Sequence, residues 1–123
     1  METICLSASL KFMDIIRTTI LKFEEIGIRA FFPNLDAGFD KDNLDMGAMK
    51  HLIQDHFQAI DSAEALYVID PEGYIGTLVK VEIGYAWGKR KPVYFTEKAN
   101  SPDLDSLSKG VIALDSIKLF CDL

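Results

Sequence analysis

The sequence predicts a single doubly wound α/β domain, a five-stranded parallel sheet with helices on both faces, and three observations predict it. Short apolar runs at 3–7, 28–32, 65–69, 92–96 and 110–114 alternate with stretches of helical periodicity, the pattern of parallel strands joined by right-handed crossovers. The run Ala65–Ile69 is continuously apolar, as in a strand covered on both faces. Finally, 123 residues that are 49% hydrophobic and 26% charged suffice for one core and are too few for two ordinary domains, so 1–123 is read as one domain.

The elements follow in order. Thr3–Ser7 is the first strand, and the small residues Ser7-Ala8-Ser9 form a turn in which Ser9 can cap a helix. Phe12, Ile16, Thr19, Ile20, Phe23 and Ile26 recur at a helical period, and Gly27 stands where a left-handed C-terminal cap is wanted. Ile28–Phe32 is the second strand, closed by Pro33. Asn34–Asp45, with four aspartates, two asparagines and Gly38, has no periodic apolar pattern and is read as a surface loop. Asp45 then caps a helix whose apolar face is Met46, Met49, Ile53, Phe57 and Ile60. After the third strand comes a glycine-bearing turn, a helix from about Leu78, and a fourth strand at Pro92–Thr96. Ser101-Pro102 reads as a cap with proline in the first helical position, opening a short helix to about Ser108. Gly110–Leu114 is the fifth strand, and Ser116–Phe120 a terminal turn or helix.

Composition narrows the function. Thirteen basic against nineteen acidic residues give a net charge of −6, which argues against a duplex nucleic-acid binder and favours a small-molecule ligand. No apolar run approaches the roughly 18 residues of a membrane span, and the start lacks the order of a signal peptide, so a cytoplasmic protein without membrane contact is expected. Cys5 and Cys121 form no disulfide framework, and His51 and His56, five apart, lack metal-ligand spacing. Neither a metal nor a cofactor is expected.

In a doubly wound sheet, ligands bind beyond the carboxyl ends of the strands, beside the switch in strand order. The segments that meet there are Ser7–Ser9, Asn34–Asp36 and Asp70–Thr77, a set of hydroxyls, carboxylates and glycines. The turn Gly73-Tyr74-Ile75-Gly76-Thr77 leads into a helix N-terminus that favours an anionic ligand group, although it is neither a GxGxxG nor a Walker loop and its glycines also suit a plain turn. The sharpest feature is Glu82. Its neighbours one turn away are Leu78, Val79, Tyr85 and Ala86, which places a carboxylate on a buried helical face. Such a group is either a structural acid paired to a base or hydroxyl in the core, or a functional acid suited to attack on a sugar anomeric carbon. His56 lies near the apolar line of its helix and reads as a core histidine or a ligand contact. Asp61, Asp70 and Glu72 flank the third strand as candidate proton donors or ribose ligands, with capping and turn roles equally open. Lys89-Arg90-Lys91 solvates a turn, and Gly84 and Gly88 permit a close approach, either of the helix to the sheet or of another subunit.

The strings Asp70-Pro71-Glu72-Gly73-Tyr74-Ile75-Gly76-Thr77, Val81-Glu82-Ile83-Gly84-Tyr85-Ala86 and Lys91-Pro92-Val93 resemble the nucleoside 2-deoxyribosyltransferase superfamily. Ile4–Ser9 with Phe12, Phe32-Pro33-Asn34-Leu35, and His56 ahead of Ile60-Asp61-Ser62-Ala63 extend the resemblance over most of the chain, toward its compact members. The resemblance implies a flavodoxin-like sheet, a homodimer or larger homo-oligomer with composite active sites, and Glu82 as nucleophile on C1′ of a deoxynucleoside. A related branch hydrolyses nucleoside 5′-monophosphates, and Ser7, Ser9 and Thr77 are the nearest matches to its phosphate-binding residues. The chain departs from the transferases at Cys5, where they carry tyrosine, and at Gly76, where they carry aspartate. Their asparagine and terminal carboxylate, lent by a neighbouring subunit, have no clear match in Pro102–Asp105 or Phe120–Leu123.

The expectation is therefore an N-glycoside-processing enzyme, hydrolase or deoxyribosyl transferase, acting on a nucleoside or nucleotide. Glu82, Asp70 and Asp61 would be its acids, with Ser7, Ser9, Asn34, Asp36, His56, Gly73, Tyr74, Gly76 and Thr77 in the binding site. The alternative is a non-catalytic nucleotide-binding or sensing module on the same fold.

Overall fold

The structure, a computed structural model, describes residues 1–36 and 44–123. Five strands form one parallel sheet: β1 (Thr3–Ser7), β2 (Arg29–Phe31), β3 (Leu66–Val68), β4 (Val93–Phe95) and β5 (Gly110–Val111). Their order is β2-β1-β3-β4-β5, so the winding reverses between β1 and β3. The register pairs Cys5 with both Phe31 and Leu66, and Leu66 in turn with Val93.

The helices are α1 (Met13–Glu25), α2 (Met46–Ser62), α3 (Thr77–Gly88) and the short α4 (Pro102–Asp105). Strand alternation divides the core in two. Ile4, Leu6, Tyr67 and Ile69 face α1 and the C-terminal segment, burying Ile16, Phe23, Ile117 and Phe120. Cys5, Leu66, Val68, Val93 and Phe95 face the other way, against Ile60 of α2 and Val79, Ile83 and Ala86 of α3. Ser7, in phase with Cys5, belongs to this second face.

The expected signals act locally with some shifts. Gly27 takes φ 81° after α1, and the Asp45 carboxylate accepts from the Ala48 N–H at 2.7 Å to start α2. Ser9 caps a 3-10 turn (Leu10–Phe12) that precedes α1. The helix after β4 is only four residues long, and Ser101 makes no side-chain cap; instead the Asp105 carboxylate gathers the N–H groups of Ala99 and Ser101. The fifth strand ends at Val111, since Leu114–Asp122 winds into a 3-10 helix that drives Ile117 and Phe120 into the core. Lys91 is more than solvation: its Nζ donates to the carbonyls of Asp61 and Ala63, tying the end of α2 to the approach to β4. The expected loop 34–45 lies in part outside the described residues.

Phe120 is fully buried, with ring centroids 5.5 Å from Phe23, 4.9 Å from Tyr67 and 5.2 Å from Tyr94. Phe120→Ala is expected to destabilise the fold by about 3–5 kcal/mol. Urea denaturation should show this as a lower midpoint at unchanged slope.

Candidate functional site

A cleft opens at the carboxyl ends of β1 and β3, at the reversal of winding. One wall is Ala8-Ser9-Leu10 with Phe32-Pro33-Asn34, which follow β1 and β2; the other is Leu52, Ile53 and His56 of α2 with Gly76, Leu78, Val79 and Glu82 at the start of α3. The cavity volume is about 50 Å³, and the cleft opens to solvent at its mouth.

Glu82 lies in this floor, 7% exposed. Ser7, at the end of β1, donates its hydroxyl to Glu82 Oε2 at 3.1 Å. His56 Nε2 stands 3.6 Å from the same oxygen, too far for a hydrogen bond, and has no other partner among the described residues. Burial pushes the Glu82 carboxyl up to about 8, with the Ser7 hydrogen bond pulling the other way. Burial also pushes His56 down to about 4, against the opposing pull of the Leu52 carbonyl and the Asp55 charge. At neutral pH the two therefore face each other uncharged, the carboxyl holding a proton and the imidazole open to accept one. Their separation is that of an ion pair, but burial decides the charge state. The Phe32 ring meets the His56 ring edge-on at 4.9 Å, and the Cys5 thiol is held protonated by burial and by proximity to Glu82.

The structure gathers some of the expected residues and separates others. Ser9 and Gly76 line the cleft, as does Asn34, whose amide donates to Asp55 at 2.8 Å from a left-handed backbone (φ 62°). Asp70 is fully buried outside the lining: its Oδ1 accepts from the Thr96 hydroxyl at 2.8 Å and the Glu97 N–H at 3.0 Å, joining the ends of β3 and β4. Burial raises this carboxyl to about 6 despite those bonds, and its Oδ2 has no partner among the described residues.

Asp61 is not brought to the cleft. It sits five residues beyond His56, about 7.5 Å further along α2, where it accepts from the Tyr85 hydroxyl at 2.9 Å and lies 4.0 Å from Lys89. Asp36 is likewise at the surface, paired with Arg17. Tyr74 turns away to meet Phe12 edge-on at 5.9 Å under the Lys11 ammonium, and Thr77 is an exposed first-turn residue outside the cleft lining. Gly73 has a backbone role: at φ 78°, an added Cβ would stand 2.9 Å from the Lys98 carbonyl oxygen. The apolar walls at Leu10, Phe32 and Leu52, and Asp55 as the anchor of Asn34, escaped sequence reasoning. Helical phase could have found Leu52, four residues before His56.

No protein-family model and no curated protein sequence matches the chain. Solved structures do. A conserved protein from Enterococcus faecalis V583 superposes with a TM-score of 0.68 at 15% identity, over 98% of this chain and 99% of that one. A 2-deoxyribosyltransferase from the psychrotolerant bacterium Bacillus psychrosaccharolyticus superposes with a TM-score of 0.63 at 17% identity, over 94% and 90%. The chain thus has the α/β fold of a deoxyribosyltransferase, in agreement with the resemblance read from its sequence. Among the described residues no helix is long and apolar enough to cross a membrane.

The buried acids set a pH dependence. Glu82 loses its proton near 4.5 when unfolded but near 8 when folded, so the native state binds the extra proton in between and stability falls as pH rises through that window. Asp70 acts in the same sense between 3.8 and about 6. His56 acts oppositely, costing stability as pH falls from 6.5 to about 4. From pH 6.5 to 8 only Glu82 of the three still contributes. The urea midpoint of the wild type should therefore drop across that interval, and Glu82→Gln should flatten the drop.

Proposed function

We propose that the protein processes the N-glycosidic bond of a nucleoside or nucleoside 5′-monophosphate, with Glu82 as the nucleophile. One observation carries the reading: the carboxyl of Glu82 lies in the floor of the cleft at the reversal of winding, aligned by Ser7 and faced by an unpartnered nitrogen of His56. The likeness to a deoxyribosyltransferase supports it at the level of the fold. In this reading the sugar edge lies against Glu82 and the rest of the nucleoside extends toward the open mouth of the cleft.

The chemistry balances within these residues. A Glu82 oxygen bonds to C1′ as the C1′–N bond breaks, and the bonding pair leaves with the base. The base takes up the proton that Glu82 gives up, with His56 Nε2 as the nearest acceptor on the way. Water then attacks C1′ of the glycosyl ester, restoring the Glu82 carboxyl and releasing the sugar; a second base in place of water makes the reaction a transfer. Ser7 holds the carboxyl in line, and the unsatisfied N–H groups of the first α3 turn, with Ser9 opposite, suit a 5′-phosphate.

A second reading, a nucleotide-binding module without turnover, is favoured by one observation. The other acids expected at the site, Asp70 and Asp61, are engaged elsewhere, and Glu82 itself is neutral at pH 7. Incubation with a panel of deoxynucleosides and their 5′-monophosphates separates the two. Released or exchanged base is expected, lost by about a thousandfold or more in Glu82→Gln and by less in Ser7→Ala. Full activity in Glu82→Gln sinks the assignment, and nucleotide binding by calorimetry with no turnover selects the second reading.

A further inference from the structure

Asn34 is the polar side chain that the segment after β2 brings to the cleft. The walls around it are apolar, formed by Leu10, Phe32, Pro33, Leu52 and Ile53, while Glu82 lies in the floor. Its backbone sits in the left-handed region at φ 62°, which asparagine adopts more readily than most residues. The segment is held from two sides: Asp36 pairs with Arg17 of α1, and the Asn34 amide nitrogen donates to Asp55 of α2 at 2.8 Å. Asp55 is not itself part of the cleft lining.

A carboxylate has only acceptor oxygens, so the Asn34 amide must meet Asp55 with its NH2 group and cannot turn over. Its carbonyl oxygen is thereby fixed on the other arm of the amide, and no described residue donates to it. We propose that Asp55 is a positioning residue that makes Asn34 a hydrogen-bond acceptor toward the ligand, so that the cleft selects nucleosides whose base carries an exocyclic amino group, as in adenine and cytosine, over their keto counterparts. This rests on the reading of the cleft as a nucleoside site and adds the class of base to it. With C1′ at Glu82 the base lies between the apolar walls, where Asn34 meets its exocyclic substituent. An amino group donates to the fixed carbonyl oxygen, the pairing by which an asparagine amide reads adenine. A keto oxygen in the same place sets lone pair against lone pair and leaves both groups unpaired.

The test is a ratio, of kcat/KM by base release and of Kd by calorimetry, for deoxyadenosine against deoxyinosine and for deoxycytidine against deoxyuridine on the full chain. The wild type is expected to favour the amino member of each pair by about tenfold or more. Asp55→Asn should bring both ratios to within about threefold of one, because an amide opposite Asn34 can pair with either of its arms. The exchanged pair, Asn34→Asp with Asp55→Asn, should restore the preference: position 34 then holds a carboxylate that accepts from the amide at 55 and keeps an acceptor oxygen toward the ligand. Losing the Asp55 charge beside His56, or some stability, affects both members of a pair alike and cancels in the ratio. Wild-type ratios at or below one overturn the inference, as do ratios that Asp55→Asn leaves intact or an exchanged pair that binds both members equally; where base is still released, these results leave Glu82 standing as nucleophile. An amino preference in binding without any release upholds the inference and overturns the catalytic reading. Absence of both binding and release overturns both.

Discussion

A carboxyl group buried without a cation dominates this structure. Ionised in its surroundings, Glu82 would cost several kcal/mol, and no lysine or arginine reaches it among the described residues. The fold meets that cost by leaving the group protonated and giving it one hydroxyl donor and one imidazole neighbour. Each arrives by a separate rule of local geometry. The pleat of β1 sends Ser7 to the α3 side, the turn spacing of α2 sends His56 to the cleft, and α3 begins close enough to the sheet for Glu82 to meet both.

That arrangement explains what was legible in the sequence. Glu82 was visible because helical phase alone puts it among Leu78, Val79 and Ala86; the bond that Ser7, expected as a phosphate contact, makes to it from full burial was not. The parallel sheet with helices on both faces followed from alternation of elements and the crossover rule, and Gly27 and Asp45 marked helix ends through backbone chemistry that acts within a few residues.

The illegible parts depend on neighbours far away in sequence. Asp70 looked like a free acid at the ligand end of β3, but pairing of β3 with β4 brings Thr96 and Glu97 to it, and a carboxylate that receives a hydroxyl and an N–H becomes a brace between strands. Asp61 shares a helix with His56, but five residues turn it about 140° onto another face as well as carrying it along α2, to Tyr85 and Lys89. The end of β5 was lost to the burial of Phe120, a demand of the core that local propensity does not express.

The two helices that carry His56 and Glu82 are fastened beyond those residues. Phe57 and Tyr85 stack with ring centroids 3.9 Å apart and planes 2° from parallel, the Tyr85 hydroxyl reaches back to Asp61, and Lys91 holds the last carbonyls of α2. The segment after β2 is in turn moored to α2 by the amide of Asn34 on Asp55, so α2 is the member to which both walls of the cleft are fastened.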